Sequence, residues 1–142
     1  MRIKMGTSVP KMGTTVHLDA DQTAYRKAIA DALRRELIAH GSIFQSSSDS
    51  ECIIHLMARS IQKNIPERMK DALRRVEGAF SVVAMTRTKL IGVRDALGVR
   101  PLVLGRIGEG WALSSETCGL DIVGAEFVRE IEPGEMVVID AR

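Results

Sequence analysis

At 142 residues the chain is long enough to bury one ordinary core and too short for two. With 45% hydrophobic and 27% charged residues it has the composition of a soluble globular domain. A formal net charge of +2, with no basic stripe and no interleaved aromatics, argues against a nucleic-acid partner.

Residues 1 to about 18 hold Gly6, Pro10 and Gly13 among small polar residues, show no sustained period, and read as a loose segment. From about Asp19 the pattern becomes helical. Tyr25, Ile29, Leu33 and Leu37 recur every four residues, with Ala28 and Ala32 beside them, which predicts one apolar face. Asp19 or Asp21 can accept from the free amides at the start, and Gly41 can close the end. A second helix is expected from Ser48, because Ser48 and Glu51 have the spacing of a capping box. Ile53, Ile54, Met57 and Ile61 are expected to supply its buried face. Pro66 suits the first turn of a third helix that Gly78 would stop.

After Gly78 the runs become strand-like. Ala79–Thr86 and Lys89–Arg94 predict one hairpin, and Leu102–Gly105 with Trp111–Ser115 predict a second around Gly108-Glu109-Gly110. Phe127–Ile131 and Glu135–Ile139 flank Pro133-Gly134 and predict a third, with a short helix over Thr117–Val123 before it. Helices followed by antiparallel hairpins make the fold class α+β, in one domain.

Few residues carry chemistry. Cys52 and His55 lie three apart on one helix face, but two ligands do not make a metal site, so packing or surface roles are expected. Cys118 reads as a small buried hydrophobe. The two cysteines form no paired motif, which places the chain in a reducing cytoplasm. No apolar stretch approaches the roughly 20 residues of a membrane span. Asp49 falls in the first turn of the second helix, where the positive helix end favours an ionised carboxylate ready to hold an ammonium group. On the residues alone, the favoured reading is a helix-start acid that only stabilises the helix. The charged run from Arg94 to Leu102 reads as a turn that locks a hairpin.

The run His40-Gly41-Ser42-Ile43-Phe44-Gln45-Ser46-Ser47-Ser48-Asp49-Ser50-Glu51, followed by Ile53-Ile54-His55-Leu56, closely resembles the amidophosphoribosyltransferase family. Arg94 to Leu102, Ser114 to Cys118 and Asp121 to Asp140 resemble it in the same order. These enzymes are class II, N-terminal-nucleophile glutamine amidotransferases of purine synthesis. The resemblance implies an antiparallel αββα sandwich. It also implies a mechanism in which an N-terminal cysteine attacks the glutamine amide, ammonia leaves and water hydrolyses the thioester. It gives Asp49 the role of holding the substrate's ammonium group. Residues 1–27 show no match, and residues 28–142 are expected to form part of the amidotransferase domain.

The chain departs from the family at residue 1, which is Met followed by the bulky Arg2, and shows none of the family's Asn-Gly oxyanion motif before about residue 28. It stops at Arg142, where the phosphoribosyltransferase domain would begin. The expectation is therefore a truncated glutaminase fragment with no catalytic nucleophile, no cofactor or metal, and weak or no binding of glutamine. Thr7 or Thr14, exposed by self-cleavage, is the one enzymatic alternative. The other is a non-catalytic module that associates with a full-length relative. Loss of the first strands of such a sandwich predicts an exposed apolar face or sheet edge that promotes self-association.

Overall fold

A computed structural model describes residues 2–4 and 20–140. Thr7, Thr14 and the proposed helix-capping Asp19 lie outside the described residues. Among those described, the order is β1 (Arg2–Lys4), α1 (Ala20–Ala39), α2 (Asp49–Arg59), α3 (Ile65–Leu73), β2 (Ser81–Met85) and β3 (Lys89–Arg94). Then follow β4 (Val103–Ile107), β5 (Gly110–Ser114), α4 (Thr117–Ile122), β6 (Glu126–Glu130) and β7 (Met136–Asp140). The switch from helix to strand falls after Gly78, and every pairing is antiparallel, so the class is α+β.

Packing divides the described residues into two compact units, 20–78 and 2–4 with 79–140. In the helical unit, α1 ends as the sequence expects. Gly41 takes φ 89°, its N–H donates to the Ile38 carbonyl at 2.9 Å, and the Ser42 N–H donates to that of Leu37 at 3.0 Å. This is the Schellman closure that an αL glycine permits. The predicted apolar face of α1 is buried only at its end, however. Leu37 is buried, but Tyr25, Ala28 and Ala32 are exposed. The buried side of α2 is Cys52, Ile53 and Leu56, whereas Ile54 is exposed and Ile61 lies beyond the helix end in solvent. Asn64 caps α3, its side chain accepting from the Glu67 N–H at 3.0 Å, with Pro66 in the first turn. The helix stops at Leu73, well before Gly78. The Ser60 hydroxyl at the end of α2 donates to Asp71 of α3 at 2.7 Å and fastens the two helices together.

In the other unit, one sheet has the order β1-β7-β3-β2 and the second β5-β4-β6. The N-terminal residues expected to be loose thus include a strand, with Ile3 opposite Ile139. The first two predicted hairpins form, β2 with β3 and β4 with β5. The third does not. β6 pairs with β4 in one sheet, and β7 with β3 and β1 in the other. The Pro133-Gly134 turn itself is present. The Glu135 N–H donates to the Glu132 carbonyl at 2.9 Å and Gly134 sits at φ 76°, as a type II turn requires. A type II turn does not match the twist of a paired hairpin, and here the chain crosses to the other sheet.

The same correction applies to Arg94–Leu102, which joins strands of different sheets rather than a hairpin. Leu90, Val137 and Ile139 from one sheet meet Leu104, Trp111 and Leu113 from the other, with Leu102 and Ile131, in the core between them. The opposite face of the second sheet is covered by α4, through Leu120 packed with Val103, Ala112 and Ala125.

Buried polar groups fix the crossing between the sheets. The Asp95 carboxylate, 1% exposed, accepts from the amides of Phe80 (3.2 Å), Leu97 (2.9 Å) and Gly98 (3.0 Å). Next to it the Arg94 guanidinium donates to the carbonyls of Arg100 (3.0 Å), Gly98 (2.9 Å) and Ile131 (2.8 Å) and to Glu130 at 3.2 Å. These two residues, read from sequence as a hairpin lock, hold together the loops that carry the chain from sheet to sheet.

Candidate functional site

Asp49 is the first residue of α2, and its side chain is exposed. The preceding Ser48 is the N-cap in extended conformation, φ −71° and ψ 132°, and its hydroxyl accepts from the Ser50 N–H at 3.3 Å. The predicted capping box does not close, because Glu51 is committed elsewhere. Its carboxylate accepts from the Gln45 N–H at 2.7 Å, the Ser46 N–H at 2.9 Å and the Ser46 hydroxyl at 2.7 Å. Reaching back past the cap, Glu51 holds the loop ahead of Asp49 rather than the amide of the cap itself.

A second set of contacts secures the same loop. The Arg34 guanidinium lies 4.0 Å from the centre of the Phe44 ring and also donates to the Ser46 carbonyl. On Phe44 rests His55, with ring centroids 4.4 Å apart and planes tilted by 54°. His55 Nε2 in turn lies 3.7 Å from Glu51. Such cation–π and ring contacts each contribute about 0.5–1.5 kcal/mol. The loop from Gly41 to Ser48 is therefore held by a residue of α1, by Glu51 and by His55, and Asp49 projects from a fixed platform. Sequence reading found Asp49 and the Ser48–Glu51 spacing but missed Arg34 and Phe44, since nothing in local spacing shows that a residue of α1 reaches a loop beyond it.

The Gln45 amide and then the Ser46 hydroxyl hold the Glu51 carboxyl at a pKa of about 2, against an ordinary 4.5. These bonds favour the charged form, so whatever stability they confer is present above about pH 4.5 and is lost as pH falls towards 2. Glu51→Gln removes the titration. The stability gap between wild type and variant is expected to shrink steadily from pH 5 to pH 2.5 in thermal melts. A gap constant over that range would show that the carboxylate does not organise the loop.

The other sequence candidates do not join this site. Cys52 is buried on the inner side of α2, and burial pushes its thiol pKa up. Cys118 is exposed, not buried as predicted. It lies in the first turn of α4, which turns Leu120 inward instead. Its thiol donates to Glu116 at 3.3 Å, and that bond, followed by desolvation, raises its pKa. Among the described residues, no group of three or more His, Cys, Asp or Glu is placed to hold a metal ion. No helix among them is long and apolar enough to cross a membrane.

Residues 28–121 match the family model described as a glutamine amidotransferase domain. The chain is 50% identical over 108 residues to an amidophosphoribosyltransferase of Rhizobium etli, covering 76% of the chain and 22% of that relative. It is 42% identical over 111 residues to the Bacillus subtilis amidophosphoribosyltransferase, covering 78% of the chain and 23% of that relative. The fold superposes on the solved glutamine phosphoribosylpyrophosphate amidotransferase from B. subtilis in complex with ADP and GMP. The TM-score is 0.75 at 42% identity, over 78% of this chain and 24% of that one. A second solved structure, described as the allosteric regulatory enzyme of purine biosynthesis, matches with the same TM-score and coverage. The chain thus spans a little under a quarter of the length of the relatives it matches.

Proposed function

The chain belongs to the glutamine amidotransferase domain family, and from that premise we propose that it is the glutamine-recognition part of an amidophosphoribosyltransferase-type glutaminase domain that does not turn glutamine over by itself. In this reading Asp49 receives the ammonium group of glutamine, and the parent activity supplies ammonia to the amination that opens purine synthesis. The observation that carries it is the platform under Asp49. Glu51, Arg34 and Phe44 fix the loop at the start of α2, so an exposed carboxylate is presented at one place rather than on a mobile tail.

The chemistry of the described residues favours recognition without turnover. Thioester chemistry needs a thiolate, and a reactive cysteine has a lowered pKa. Both cysteines here are shifted the other way, Cys52 by burial and Cys118 by its bond to Glu116. Both are also free thiols, which suits a reducing cytoplasm.

Binding by Asp49 alone is weak. One exposed ion pair contributes at most about 1 kcal/mol, whereas millimolar affinity corresponds to about 4 kcal/mol. The test is a glutamine titration followed by amide NMR. Small shifts confined to residues 45–51, unsaturated at tens of millimolar and abolished by Asp49→Asn, are the expected result. Shifts that centre elsewhere, or that survive Asp49→Asn, would remove the assignment.

A further inference from the structure

We propose that the outer edge of β2 is a self-pairing surface, through which two copies of this chain join antiparallel about a two-fold axis at Val83. This goes beyond the glutaminase reading and stands whether or not Asp49 binds glutamine.

Among the described residues β2 has a paired strand on one side only, since it ends the order β1-β7-β3-β2. The ladder fixes which backbone groups point outward. The Asp95 N–H donates to the Phe80 carbonyl at 3.0 Å and the Thr86 N–H to the Lys89 carbonyl at 2.8 Å. Hydrogen-bonded pairs alternate along an antiparallel ladder. The even-numbered residues of β2 therefore face β3, and Ser81, Val83 and Met85 present their N–H and C=O groups outward.

Three observations make a second copy the fitting occupant. The outward set is symmetric about Val83, so a two-fold axis there pairs Val83 with the partner's Val83 and Ser81 with the partner's Met85, every outward donor meeting an acceptor. The run Ser81–Thr86 contains no charge, and Arg87, the first charged residue after it, falls opposite the partner's Ala79, so no like charges meet. The side chains that such pairing would cover are apolar and in solvent, Val83 at 48% and Met85 at 83% exposure.

The usual protections of an edge strand, a charge, a proline or a bulge, are all missing from β2. The other edges differ. β1 is three residues long, β6 carries Glu126, Arg129 and Glu130, and the side chains of β5 are half-buried throughout. Pairing at β2 joins two four-stranded sheets into one.

The test is light scattering on the full chain across a range of concentrations, together with disulfide trapping in a Cys118→Ser background. Paired residues on the axis have Cα atoms about 5.5 Å apart, within disulfide reach. Val83→Cys is therefore expected to cross-link to a dimer under mild oxidation. Met85→Cys is not, because the two copies of residue 85 lie roughly 14 Å apart along the strands.

The wild type is expected at twice the monomer mass, and Val83→Lys, which sets two like charges face to face, at the monomer mass. Should Val83→Lys fail to fold, Met85→Pro removes an outward N–H while leaving the bonds to β3 intact, and is expected to shift the mass in the same way. A chain that is monomeric at every concentration would overturn the proposal. So would a dimer that persists in the folded edge variants and is not trapped through Val83→Cys.

Discussion

Asp95→Ala is expected to destabilise the sheet-bearing unit by about 3–5 kcal/mol, read as a large fall in the urea midpoint at unchanged slope. The carboxylate is 1% exposed and accepts from the amides of Phe80, Leu97 and Gly98. Alanine offers those donors nothing. A buried donor left without an acceptor costs about 1–3 kcal/mol, and bonds to a charged acceptor are the stronger kind. Asp95→Asn keeps one carbonyl oxygen and is expected to fall between the two. The effect should not stop at the turn. The Asp95 carbonyl also accepts from the Gly134 N–H at 2.9 Å, so loosening this residue frees both places where the chain passes between sheets. An Asp95→Ala variant within about 0.5 kcal/mol of wild type, the range of ordinary surface changes, would contradict this account of the loop.

Ile139→Ala is expected to cost about 2–5 kcal/mol, because Ile139 is wholly buried between the sheets with Leu102, Leu104, Ile131 and Val137. Its cross-strand partners Ile3 and Leu90 are held in the ladders that flank β7 on either side. They cannot collapse into the gap, which places the cost towards the upper end. Ile122→Ala removes the same atoms from a side chain that is 85% exposed and is expected to change stability by less than about 0.5 kcal/mol. Denaturant unfolding of the pair separates burial from residue type. Equal effects at the two positions would mean that the inter-sheet core is not where Ile139 places it.

What the sequence made legible was local. Gly41 predicted the end of α1, Pro66 marked the first turn of α3, and the short connections after Met85 and Ile107 gave true hairpins. In each case the determining contact lies within a few residues. The failures were non-local. Pro133-Gly134 announced a turn correctly but could not say that the strands either side of it belong to different sheets, because strand partners are chosen by the packed core.

The apolar spacing of α1 promised a buried stripe, yet of Tyr25, Ile29, Leu33 and Leu37 only the last is fully buried, since periodicity shows which residues share a face and not how much of that face is covered. At the candidate site the same division holds. Asp49 was found from its place in a helix start. The roles of Glu51, Arg34 and Phe44 emerged only from the folded loop, where a residue of α1 reaches Ser46 twelve positions on.

The central claim is that these residues carry glutamine recognition without a nucleophile of their own. Coupled detection of ammonia from the purified chain at the highest soluble glutamine concentration tests it most directly. Removing a covalent nucleophile costs orders of magnitude in rate, and neither Cys52 nor Cys118 is activated. The account predicts no release above the rate without protein, in wild type and Asp49→Ala alike. Steady turnover in wild type that disappears in Asp49→Ala would contradict it, by showing that a working nucleophile stands within reach of this carboxylate.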